Sequence, residues 1–596
     1  MKNCSRGSRV GVSIHCLALA VSTAASVMLS GCAEDPLPFN PRDAQAWERS
    51  SDAEVKSRRL VPLPTTAETP TVSDPALPDS MRRLGTMNVP EGPPVPMSLQ
   101  EVIHRTVANN LDIRVASYDT AIDQTRVLEA EANFDPSVFS DLSYQRVDKD
   151  TGGVDSTIPT AAASLTKNST SDFTSLITQL DQEGISTFDF GLRGNLPAGG
   201  KIEVKETIVD SYFYPPRSIL NPYYQNDLTV QLTQPVLQNF GIAVNRARIT
   251  IAQNNQRVSL LDFRKTVEDT VLKVEQTYWR LVQTQRDINS VKILVDESEH
   301  TTDILKGRFK EDVTAIPLEN AIAQTASRKV QLIQLEGQLY DLSDQIKQLM
   351  NDPKYPVSSS GVITPKDLGT ELPMHFNLDD QIETGLENRL ELGQQQVRID
   401  SAEIAVDVAR NNLLPQFDLI ISTDVDGLSS NLGESLISEG QFNRLGYSAG
   451  FQFSYFLGNR AARAVWNRSI LQRLQAIVSY GNLVEQVALD VKTAARAVDY
   501  TWLRLAEARK ATLYFQALVN NEQKQQDFGN EPITSDTIAI RLQNQLFLFS
   551  AEQAEHQALN DYNYALANLE HAKGTILRYN NVIMEQAQIP VDLKMK

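Results

Sequence analysis

Acidic side chains gather at two breaks in long helical patterns. Glu311, Asp312 and Glu319 lie in or beside the first break, at 307–317, and Glu531 and Asp536 lie in the second, at 527–537. Carboxylates held close together repel one another and bind cations. Single carboxylates at helix starts are solvated charges that favour the N-terminal dipole, a role open to Glu319 and Asp536. The residues alone leave both uses open. No other group of residues suggests chemistry. The six histidines are scattered and no pair has metal-ligand spacing. The serines lie in polar stretches without a G-x-S-x-G context. Gly194 to Lys201 superficially follows a phosphate loop, but it carries an extra glycine before the lysine and no Ser or Thr after it. No enzyme, cofactor or metal is expected.

The one reactive side chain with a telling context is Cys32. The three cysteines are Cys4, Cys16 and Cys32, and none lies beyond Cys32, so the remainder has no disulfide and no thiolate metal site. Lys2, Arg6 and Arg9 precede an uncharged run from Val10 to Leu29, which reads as a secretory signal. The run ends Leu29-Ser30-Gly31-Cys32. That tetrapeptide resembles the lipobox of bacterial lipoproteins; the plain alternative is an ordinary signal with an incidental cysteine. The resemblance implies cleavage before Cys32 and acylation of the cysteine, palmitate included. Ala33 in place of Asp resembles the outer-membrane sorting pattern. Several acyl chains would exceed the marginal anchoring that one chain provides. Net charge is −18 and the pI about 5.0, with no basic run. Nucleic acid is therefore not a partner, because phosphate binding needs clustered Lys and Arg.

What must position the acidic breaks is an internal duplication. Around Asn411-Asn412-Leu413-Leu414-Pro415-Gln416-Phe417 a helical period gives way to a strand period, and Pro415 cannot continue a helix interior. The same switch occurs earlier, at Asn133-Phe134-Asp135-Pro136, where Asn133 falls on Asn412 and Pro136 on Pro415. The helical run before each switch aligns without a gap: Leu99 on Leu378, Ile103 on Ile382, Asn109 on Asn388, Leu111 on Leu390. Five boundaries follow. Residues 1–31 are the signal, 32–97 a lipidated extension, 98–350 the first repeat, 351–376 a linker, 377–580 the second repeat and 581–596 a tail. The extension holds 12 of the 27 prolines and is expected to be extended, as a tether or a strap on the main body.

Within each repeat the order is helix, strands, long helix, break, helix. Ser98 and Glu101 form a capping box, and that helix is expected to run to about Ala132. Val138 to Arg146 alternates weakly, Asp148 to Asp181 reads as a long loop, and 187–209 reads as a hairpin about Pro197-Ala198-Gly199-Gly200. Leu228, Val230 and Leu232 mark a returning strand that Pro235 ends. From Val236 to about Lys306 no proline occurs, which is about 105 Å of helix at 1.5 Å per residue. Val267, Val271, Val274, Tyr278, Leu281, Gln285, Ile288 and Val295 form a heptad seam. Leu318, Ile322, Thr325, Leu332, Leu339 and Ile346 form another. In the second copy a helix is expected over 378–413, a strand over 417–426 and a polar loop over 427–445. Tyr447, Ala449, Phe451, Phe453 and Tyr455 then alternate cleanly. The seam Val484, Ala488, Val491, Ala495, Val498, Trp502, Leu505 repeats the first in the same phase, with Val484 falling on Val267, and the last helix ends near Tyr579.

This order on a secreted lipoprotein resembles the TolC-like outer-membrane efflux protein family. The matched residues are Leu99-Gln100-Glu101-Val102-Ile103, Asn109-Asn110-Leu111, Pro136, Gln234-Pro235-Val236-Leu237, Gly241, Leu390, Pro415 and Gly574, within about 98–580. The resemblance implies a mixed α and β membrane protein: an internally duplicated helical coiled-coil barrel and a transmembrane antiparallel β-barrel, completed by trimerisation. It implies a passive exit duct across the outer membrane and periplasm, serving efflux or type I secretion. The partners implied are two more copies, a periplasmic adaptor, an inner-membrane pump and outer-membrane lipid. It places Glu311, Asp312, Glu319, Glu531 and Asp536 at the periplasmic tip, where rings of carboxylate would constrict the pore. Relatives with gating aspartates past the second break have no clean counterpart in Thr537-Ile538-Ala539-Ile540-Arg541. The other class open to the sequence is a non-conducting coiled-coil lipoprotein that spaces the envelope. The family has two strands per repeat, so hairpin 187–209 is extra. Either the barrel is larger or the hairpin projects on the extracellular side, and the charges of Lys201, Glu203, Lys205 and Glu206 favour projection.

Overall fold

The computed structural model describes residues 92–151, 179–214, 220–308, 315–527 and 535–583. The signal, Cys32, most of the proline-rich extension and the C-terminal tail lie outside them. In chain order the elements are β1 (Pro94–Met97), α1 (Leu99–Asn109), α2 (Leu111–Glu131), β2 (Ser137–Thr151), β3 (Gln179–Asn195), β4 (Lys201–Tyr214) and β5 (Tyr223–Pro235). There follow α3 (Ala247–Arg308), α4 (Ala315–Met350), β6 (Val362–Pro365), α5 (Leu378–Asn388), α6 (Leu390–Asn411) and β7 (Gln416–Ser429). The chain continues with α7 (Leu432–Gly440), β8 (Leu445–Ser454), α8 (Arg460–Asp527) and α9 (Ser535–Ala572). The fold is thus mixed α and β.

The long helices pack as the heptads require. The α3 seam is buried at Val267, Val271, Val274, Tyr278, Leu281, Ile288 and Val295, and the α8 seam at Val491, Ala495, Val498 and Leu505. α3 packs on α2, α4, α6 and α9, and α8 on α5, α6 and α9. Gly385 on α5 allows this closeness, since a Cβ there would lie 2.8 Å from Val491 Cγ2. The 62 residues of α3 and 68 of α8 correspond to about 93 and 102 Å. One seam position fails: Ile322 is 46% exposed, and Ala321 turns inward in its place.

Three other expectations change. The helix expected over 98–132 breaks at Asn110, whose ψ of 134° is extended and whose Oδ1 accepts from the amides of Asp112 and Ile113. Its Nδ2 donates to the carbonyl of Leu349 at 2.8 Å, so the break fastens the helix pair to the end of α4. The second copy breaks at Arg389, the position that falls on Asn110 in the repeat, with ψ of 121°. The linker 351–376 holds β6, which pairs in parallel with β1, so Pro94–Met97 is a strap on the helices. Tyr278 Oη donates there to the carbonyl of Met97 at 3.0 Å or to Asp367 Oδ2 at 2.9 Å. The polar loop 427–445 contains a helix, α7.

The hairpin does not project. β2-β3-β4-β5-β7-β8 form one antiparallel sheet of six strands, and β3 and β4 lie between β2 and β5 in unbroken register. The 196–200 turn lies at the helical end. Asn195 Nδ2 donates to the carbonyl of Asn133 at 2.9 Å, and the Gly241 amide donates to the carbonyl of Ala198 at 3.2 Å. Gly199 has φ of +95°, and a Cβ there would lie 2.1 Å from the carbonyl oxygen of Asn239.

Candidate functional site

The sheet has two unlike faces because side chains alternate along each strand. On one face Val138 and Leu142 of β2 register with Leu192 and Phe188 of β3, and these with Val204 and Ile208 of β4. The face continues through Val230 and Leu232 of β5 and Leu419 and Ile421 of β7 to Phe451 and Phe453 of β8. Large apolar side chains are left in the open: Tyr447 is 87% exposed and Phe451 70%. A water-soluble sheet does not leave such a continuous apolar surface uncovered, whereas a lipid-facing one does. Phe417 stacks on Phe451 with ring centroids 5.3 Å apart.

The opposite face is polar. Ser137 and Asp141 register with Arg193 and Asp189, and Glu203 and Lys205 with Gln231 and Thr229. Thr207 Oγ1 donates to Asp189 Oδ1 at 2.6 Å, Gln416 Nε2 to Asp418 Oδ2 at 2.6 Å, and Ser422 and Ser448 hydroxyls meet at 2.8 Å. Alternation along β4 therefore resolves the charged ribbon read from the sequence. Lys201, Glu203 and Lys205 share the polar face, and Glu206 stands on the other. Among the described residues both edge strands, β2 and β8, have one side without a ladder. Among the described residues no helix is long and apolar enough to cross a membrane.

The five acidic residues of the two breaks are only partly among the described residues. Glu311, Asp312 and Glu531 lie outside the described residues. Glu319 is exposed on the second turn of α4, and Asp536 is the second residue of α9. The described residues just above them form a packed collar. Leu305, Ala321, Ile538 and Leu542 bury one another, with Leu318 against them. Arg328 is 4% exposed. It donates to Ser298 Oγ and, at 3.2 Å, to the carbonyl of Leu542, so one guanidinium ties α3 and α4 to α9. Burial pulls its pKa below the ordinary value, with Glu297 opposing.

Midway along the helices lies a second polar group that the sequence did not suggest. Glu268 and Glu275 are buried on α3, and burial pushes each up to about 7. Asn580 Nδ2 donates to Glu275 at 2.6 Å, and His571 Nε2 meets Asp269 Oδ1 at 2.7 Å. The His571 hydrogen bond holds Asp269 below the usual carboxylate range. Among the described residues no three His, Cys, Asp or Glu side chains converge as a metal site.

No family model and no curated protein matches the sequence. Solved structures do match. The outer membrane channel CmeC of Campylobacter jejuni is similar at a TM-score of 0.55 and 14% identity, over 83% of this chain and 88% of its own. The outer membrane protein VceC of Vibrio cholerae matches at 0.53 and 12%, over 80% and 96%. The chain has the fold of the TolC-like outer-membrane channels. The open-state MtrE outer membrane channel of Neisseria gonorrhoeae shares that fold at 0.53 and 14%, over 80% and 89%. Within that fold the collar at Arg328 and the carboxylates on α3 belong to the helical part, and the two-faced sheet to the β part.

Proposed function

We propose that this chain is the outer-membrane channel of a tripartite efflux or type I secretion system, a passive trimeric exit duct across the outer membrane and periplasm. The observation that carries the reading is the six-stranded sheet, apolar on one face and polar on the other, with two open edges and long helix pairs continuing from it. Open edges are not tolerated in hydrocarbon, so β2 of one copy must meet β8 of the next. Six strands in each of three copies give eighteen, a size at which barrels leave an aqueous channel. Two strands per repeat, as in the resembled family, would give twelve. The extra hairpin therefore widens the membrane pore, and Glu203, Lys205 and Asp424 line water. The helices reach across the periplasm to an adaptor and an inner-membrane pump. Cys32 carries the acyl chains that hold the N-terminus to the outer membrane, and Glu311, Asp312, Glu319, Glu531 and Asp536 constrict the periplasmic tip.

Purified protein in planar bilayers tests this. The duct gives stepwise conductance, and cysteine pairs scanned along β2 and β8 yield disulfide-linked trimers. Silent bilayers together with no inter-chain cross-link would instead leave a non-conducting lipoprotein spacer.

A further inference from the structure

Glu206 is out of place on its strand. It stands on the apolar face between Val204 and Ile208, 9% exposed, and its Oε1 has no hydrogen-bond partner. Its diagonal neighbour on β5, Asn226, is wholly buried with both side-chain amide atoms unpartnered. The cover over both is α7. Gly427, the cross-strand partner of Asn226, admits the helix, for a Cβ there would lie 2.2 Å from the carbonyl oxygen of Ser435. The helix is turned polar side in: Ser435 and Glu439 are buried, while Leu436 and Ile437 are 44% and 65% exposed. The Glu439 carboxyl lies within hydrogen-bonding reach of the Glu206 carboxyl. The charges that act on Glu206 are those of Glu439 and, from the other face, Asp227, all negative.

Two facing carboxylates and an unpartnered amide, shut away from water, lack a positive charge. We propose that Glu206, Glu439 and Asn226 bind one divalent cation, Ca2+, which pins α7 to the sheet. The donors are all oxygen, which selects a hard cation, and the two carboxylates match its charge. Ca2+ fits better than Mg2+, because its flexible coordination accepts bidentate carboxylates, whereas Mg2+ demands a strict octahedron. The rival arrangement is a proton shared between the carboxyls, as like charges at close range permit. The site lies within one chain and does not rest on the channel reading.

The test uses full-length protein in detergent, stripped with chelator and dialysed against radioactive Ca2+. We expect one tight Ca2+ per chain above the weak surface background, and a melting temperature several degrees higher with Ca2+ than with chelator. Glu206→Gln and Glu439→Gln should each weaken binding at least tenfold. Gly427→Val, which removes no donor but lifts α7, should do the same. Asn226→Asp keeps an oxygen in place and should retain the ion, guarding against variants that merely misfold. The proposal is overturned if the parent binds no more Ca2+ than the Glu206→Gln/Glu439→Gln double variant. It is equally overturned if Ca2+ leaves the melt unchanged while that double variant melts at or above the parent, the signature of a shared proton.

Discussion

Glu268 lies in the buried seam of α3, beside Val267 and Val271, and is 4% exposed. Arg264 Nε approaches its Oε1 at 3.5 Å, yet that oxygen accepts no hydrogen bond. Burial raises the carboxyl from 4.5 to about 7; the charges of Arg264 and His571 oppose the rise, and those of Glu391 and Asp269 add to it. Between those two values the folded chain keeps a proton that the unfolded chain has lost, so stability falls as pH rises through the window and is level on either side. At about 1.4 kcal/mol per pH unit, the span from 4.5 to about 7 sets a magnitude of about 3 kcal/mol per chain. Glu268→Gln keeps the shape and removes the charge. Denaturant unfolding of parent and variant in detergent at pH 5 and pH 8 measures the effect. The variant should match the parent near pH 5, exceed it at pH 8, and show a flatter pH dependence. Glu275 leaves a similar slope in both proteins, so only the difference is diagnostic. A variant less stable than the parent at pH 8, or a difference that does not change with pH, would refute the reasoning.

Three other outcomes can be checked. Cys32→Ala should abolish labelling by radioactive palmitate while the sheet still inserts; label persisting on the variant removes the lipobox reading. Val491→Asp places an unpartnered charge where Val491 is fully buried against α5, a cost of several kcal/mol; trimers in mild detergent should decline, and intact trimers with an unchanged melt would sink the seam assignment. Asp312→Asn with Asp536→Asn should weaken block by divalent cations in single-channel recordings if the tip carboxylates face the lumen. Plain helix caps would leave conductance alone and lower stability by up to about 1 kcal/mol per lost charge.

Periodic features were legible in the sequence. The α3 and α8 seams and the alternation from Tyr447 to Phe453 follow from local repetition, and the structure places them where the period does. What was hidden depends on distant partners. Asn110 reads as one more residue of a helix until Leu349 supplies the carbonyl for its amide. α7 reads as a loop because it is short and turns Leu436 and Ile437 outward, so its apolar residues mark no core. Arg328 reads as a solvated charge because nothing local says that Leu542, far along the chain, lies across it. Glu206 follows Lys205 at a place where the alternation calls for an apolar residue, so strand phase alone was enough to mark it. The five acidic residues at the breaks gave no pattern beyond their clustering, and a cluster at a helix end has a plain explanation in the dipole.

The hairpin shows how such a sheet can gain strands without changing its helices. β2 runs away from the helical end and β5 returns to it, so in a two-strand repeat they would pair antiparallel directly. Inserting one strand would reverse that order and force a crossover; inserting two, as β3 and β4 do, preserves it. The new turn must then sit at the helical end, where the sheet meets the helices. There the insertion is bonded in at Asn133 and Gly241 through Asn195 and Ala198. Helix number and seam register are untouched, as the matching breaks at Asn110 and Arg389 require. The sheet alone becomes wider, and the mismatch falls on the short joints at 235–246 and 412–415, where positive φ at Asn239 and Gly241 permits sharp changes of direction. Strand number in the sheet and packing between the helices are therefore set by different residues.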